Sequence, residues 1–130
     1  MRTDYIDIDN GKWGIVIVRN FYNTEDDWYN AEESMRSFGM TQKAIRRACK
    51  ILDTYNSGMT ITRDDLRMSI IFVGRSSSSG QFWNTVSHEL HHVATAIEEY
   101  YGVDNLTEPS AYLHGHLFQR VVEVIAEPCK

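Results

Sequence analysis

Between Gln81 and Tyr101 the chain reads QFWNTVSHELHHVATAIEEYY and is followed by Gly102, a helical pattern with its stop signal. Phe82, Val86, Leu90, Val93 and Ile97 recur at helical spacing and form one apolar face, so this helix must lie against a partner layer. Thr85, His88, His92 and Thr95 gather on the other side. Any fold available to the chain has to bury the first face and leave the second open to a cleft.

The second face contains His88-Glu89-Leu90-His91-His92, a match to H-E-x-x-H. Histidines four residues apart project about 40° from each other on a helix, close enough to grip one metal ion. Glu89 lies about 100° around from His88, where a carboxylate can take a proton from water activated by the cation. With this composition three such fixed residues arise by chance in about one chain in a hundred, so the position of the motif on its helix matters more than its presence.

A catalytic zinc needs a third protein ligand and an open fourth position. The downstream candidates are Glu108, His114 and His116. Glu108 precedes Pro109, which suits the first turn of a helix, and Tyr112 follows one turn later on the same side. Glu108 as ligand and Tyr112 as hydrogen-bond donor to a developing oxyanion would complete the site. His91 projects about 60° from His88, away from His92, and reads as a supporting or surface residue.

The rest of the chain reads as scaffold. Residues 4–9 alternate, Asn10-Gly11 is a hairpin signal, and WGIVIV at 13–18 is β-branched and apolar, predicting an opening hairpin. Thr24 caps a first amphipathic helix ended by Gly39; Thr41 caps a second, with Gly58 as its stop. Residues 59–63 and 66–73 read as strands, RSSSSG at 75–80 as a mobile loop, and 109–126 as the last helix. On the second helix Lys43, Arg46, Arg47 and Lys50 share a face that reads as solvated.

Composition removes several alternatives. At 130 residues the chain is expected to be one domain able to bury a core without disulfides. Its net charge of −5 argues against nucleic-acid binding through bulk charge. IVIV at 15–18 is the longest aliphatic run, far short of a membrane span, and MRTDYIDIDNGKW has no secretory pattern. Cys49 and Cys129 make no disulfide framework, so the expected compartment is the cytoplasm.

NTVSHELHHVATAIEEYYG followed by TEPSAYLHG resembles the small gluzincin-type zinc metallopeptidases, in particular short ones encoded by bacteriophages and mobile elements of gut bacteria. The resemblance covers about residues 59–117. It implies an α+β fold in which a small antiparallel sheet is followed by two helices that hold a zinc ion, with the two other helices on the N-terminal side. Under it His88 and His92 match the histidine ligands, Glu89 the general base, Glu108 the ligand glutamate, and Tyr112-Leu113-x-Gly115 the packing run behind it. The proline after Glu108 departs from the common pattern. Two functions are then expected in order: a zinc-dependent peptidase whose peptide substrate lies along the strand at 66–73 by β-augmentation, or a non-catalytic module in which zinc ties the last two helices together. An open fourth position distinguishes the first from the second. The oligomeric state is left open by the sequence.

Overall fold

The computed structural model describes residues 1–104 and 108–126 and is α+β. Its elements are β1 (Arg2–Ile8), β2 (Trp13–Arg19), α1 (Glu25–Ser37), α2 (Gln42–Leu52), β3 (Gly58–Arg63), β4 (Met68–Val73), α3 (Ser79–Tyr101) and α4 (Glu108–Ala126). The predicted hairpin forms, with Ile8 opposite Trp13 and Asp9, Asn10 and Gly11 all at positive φ. Side-chain caps start the first three helices: Thr24, Thr41 and Ser78 accept from Asp27 N, Ala44 N and Gln81 N at 3.1, 3.2 and 3.1 Å. Gly102 ends α3 in the left-handed conformation at φ 72°. Cys129 lies outside the described residues.

Three expectations are corrected. The serine-rich segment is not simply a loop, because Ser78 caps α3 and Ser77 is bonded on both N and Oγ to the Asn56 amide oxygen. Gly58 is not a helix stop: α2 ends at Leu52 with Asp53 as its cap, and Gly58 opens β3. The sheet is mixed rather than antiparallel. Its order is β1-β2-β4-β3, with β1–β2 and β3–β4 antiparallel and β2–β4 parallel. The reason is topological: α1 and α2 return the chain to the finishing end of β2, where Gly58 is level with Val73 and Arg19, and β3 runs back so that β4 starts beside Gly14 and runs parallel to β2.

The alternation of side chains along the central strands gives the sheet two apolar faces, each covered by a helix pair. Ile15, Ile17, Ile71 and Val73 pack with Val86, Leu90 and Val93 of α3 and Leu117 and Val121 of α4. Val18, Ile70 and Phe72 pack with Ala31 and Met35 of α1 and Ile45, Ala48 and Leu52 of α2. The first two helices therefore cover the face opposite α3 and α4.

The strand expected to receive a peptide is also placed differently. Residues 68–73 are flanked by β2 and β3, so their backbone groups are used within the sheet, and the free edge beside α3 belongs to β3. Gly14 N donates to Arg67 O and Gly74 N to Ser57 O, at 2.9 and 2.8 Å. That register pairs Met59, Ile61 and Arg63 with β4 and turns the N–H and C=O groups of Gly58, Thr60 and Thr62 outward.

Candidate active site

The amino-terminal half of α3 lies against β3, and this contact needs glycine at position 58. A Cβ there would stand 2.8 Å from Thr85 Cγ2 and 3.0 Å from Glu89 Cγ, so helix and strand approach more closely than a larger residue permits. Glu89 is 5% exposed and directed at the strand. Thr60 Oγ1 donates to Glu89 Oε1 at 2.8 Å; among the described residues Oε2 has no hydrogen-bond donor, and it lies 3.9 Å from His88 Nε2. A buried carboxylate with one oxygen anchored and the other free is held in place yet able to accept a proton.

His88 and His92 stand above this carboxylate, with ring centres 5.0 Å apart and planes at 86°. Two imidazoles bonded to one zinc through nitrogens at about 2.0–2.1 Å, at a tetrahedral angle, have ring centres about 5 Å apart. The pair fits one ion by that measure, whereas His91 and His92, at 6.4 Å, do not. The His88 side chain is 68% exposed, so the pair opens to solvent. Two shallow hollows flank it: a polar one of about 350 Å³ lined by Asn56, Ser57, Asn84 and Thr85, and one of about 400 Å³ along Gly58, Thr60 and Thr62 of β3.

The other expected residues are not gathered there. Tyr112 and His116 line a hollow with Asp9 and Pro109, beside the turn of the β1–β2 hairpin. Glu108, one turn before Tyr112, is exposed at the start of α4. His114 is engaged elsewhere, with Nε2 2.8 Å from Glu98 Oε1. Among the described residues no group of three His, Cys, Asp or Glu side chains is close enough to hold a metal ion. The structure thus brings His88, His92 and Glu89 together and leaves Glu108 and Tyr112 apart from them.

Two contributors carry no mark of their role in the sequence: Thr60 is an unremarkable position in a strand, and Gly58 reads as a helix stop. The alternation of β3 was the one available signal, since it puts Thr60 and Thr62 on the same face as Gly58.

A larger hollow, about 450 Å³, lies on the far face beside Trp28, Glu32 and Cys49. It is a poor reaction site. Burial, followed by the negative charge of Glu32, pushes the Cys49 thiol up to about 11, so it stays protonated and unreactive near neutrality. Among the described residues no helix is long and apolar enough to cross a membrane. Compared with known proteins, the chain matches no family model, no curated protein and no solved structure.

Proposed function

We propose that this protein is a zinc-dependent peptidase in which His88 and His92 hold the ion and Glu89 is the general base. The observation that carries the reading is one constellation: an open histidine pair at metal-bridging separation over a buried carboxylate with one oxygen anchored by Thr60. A divalent ion held there supplies a Lewis acid for a peptide carbonyl and lowers the pKa of water.

The chain's own groups account for the remaining tasks. An extended peptide pairs with the outward N–H and C=O groups of Gly58, Thr60 and Thr62, which fixes its direction beside the histidines. Glu89 takes the proton of the attacking water on Oε2 and delivers it to the leaving amide nitrogen. Thr60 holds Oε1 so that the carboxylate does not swing away. Neither Glu108 nor Tyr112 enters these steps, and the described residues gather no third ligand beside His88 and His92.

A zinc tie to α4 made by His88 and His92 is the weaker reading, because this pair borders hollows along β3 rather than the seam with α4. The deciding experiment uses a broad peptide library and zinc analysis. Glu89→Gln is expected to keep zinc and lower hydrolysis by about 10²–10⁴-fold, while His92→Ala loses the zinc of this pair. Hydrolysis that survives Glu89→Gln removes Glu89 as the base.

A further inference from the structure

The seam between α3 and α4 contains a second pair of imidazoles that the proposed hydrolysis does not use. His91 on α3 and His114 on α4 have ring centres 5.3 Å apart, close to the separation of about 5 Å for two histidines on one tetrahedral ion. His91 is exposed and His114 half-buried, so the space between them is reachable from solvent.

What sets this pair apart from two neighbouring surface histidines is the group behind it. Glu98 is 4% exposed, and its Oε1 lies 2.7 Å from Ser110 Oγ and 2.8 Å from His114 Nε2. A carboxylate oxygen accepts hydrogen bonds, and a bond donated by His114 Nε2 puts the ring hydrogen on that nitrogen. In the neutral ring the lone pair then resides on Nδ1, the nitrogen left for a ligand. A carboxylate that fixes ring and tautomer in this way is the usual outer support of a metal-bound histidine.

We propose that His91 and His114 form a second cation site, a metal clasp across α3 and α4 for a divalent ion that prefers imidazole, such as zinc, nickel or copper. Glu98 is its positioning residue, and water completes the coordination. The site is separate from the His88–His92 pair, because the His91–His92 spacing of 6.4 Å is too wide for those two rings to share an ion.

The test uses the full chain and zinc alone as the probe, read by titration calorimetry and thermal unfolding. With the first pair removed by His88→Ala and His92→Ala, one equivalent of zinc should still bind, and Tm should rise with zinc concentration. Adding His91→Ala, an exposed position, should abolish both signals without altering the zinc-free Tm. Glu98→Gln in the same background should weaken zinc about 10–100-fold. The clasp is refuted if the double variant binds no zinc at millimolar concentration, or if its binding survives His91→Ala. The two readings fail separately: zinc binding by the double variant together with no hydrolysis by the parent protein would sink the peptidase and leave the clasp standing.

Discussion

Glu89 and Glu98 stand on the same helix, both about nineteen-twentieths buried, and the protein treats them in opposite ways. Glu98 has two partners on one oxygen, Ser110 Oγ and His114 Nε2, both from α4. Among the described residues Glu89 has a single side-chain donor, Thr60, on one oxygen, and it lines the open hollow along β3. One carboxylate is committed to joining two helices; the other is held only firmly enough to stay in place. Burial alone therefore does not distinguish a structural acid from a reactive one, and the count and origin of the donors do.

Four substitutions probe that difference, and the loss of Glu98 should cost the most. Glu98→Ala leaves the Ser110 hydroxyl and the His114 ring N–H without their acceptor in a buried seam, and should cost about 2–3 kcal/mol in urea unfolding. Glu89→Ala removes one hydrogen bond from a cleft that water can enter, so its cost in the same assay should be about 1 kcal/mol or less. If the two costs are equal, the contrast drawn above is wrong. Gly58→Ala forces Thr85 and Glu89 to move, and a destabilisation of about 1–2 kcal/mol with a drop in hydrolysis larger than the loss of folded protein explains is the expected pair of results. Thr60→Val keeps the shape of the strand and frees Glu89 Oε1; stability should fall by about 0.5–1.5 kcal/mol. Its effect on hydrolysis should appear in kcat rather than KM, since the peptide is held by backbone groups.

Much of this organisation was written locally in the chain. The Asn10-Gly11 turn, the threonine caps at 24 and 41, and the apolar stripe from Phe82 to Ile97 are short-range signals, and the elements they predict are present. The histidine pair was legible for the same reason, because helical geometry alone brings positions 88 and 92 together. What was not legible is non-local. Nothing near residues 66–73 says that the strand will lie between β2 and β3, and the choice of β3 as the edge follows from that pairing. Glu98 and His114 likewise meet only once α4 has docked, so neither residue carries a local mark of the bond. Glu108 illustrates the converse: its place before a helix was readable, but a position along one helix does not determine which side chains it will meet on another.

The parallel pairing at the centre of the sheet bears on the order of assembly. Residues 14–19 of β2 find their partners at 68–73, across the whole α1–α2 crossover, and closing so long a loop costs entropy before any pairing repays it. The β3–β4 hairpin and α3 can form early from local contacts, yet they have no finished sheet to rest on until that crossover closes. The histidine motif is thus complete as a helix before the sheet beneath it is closed, and the pairing of residues 14–19 with 68–73 then joins β3, β4 and α3 to the rest of the molecule.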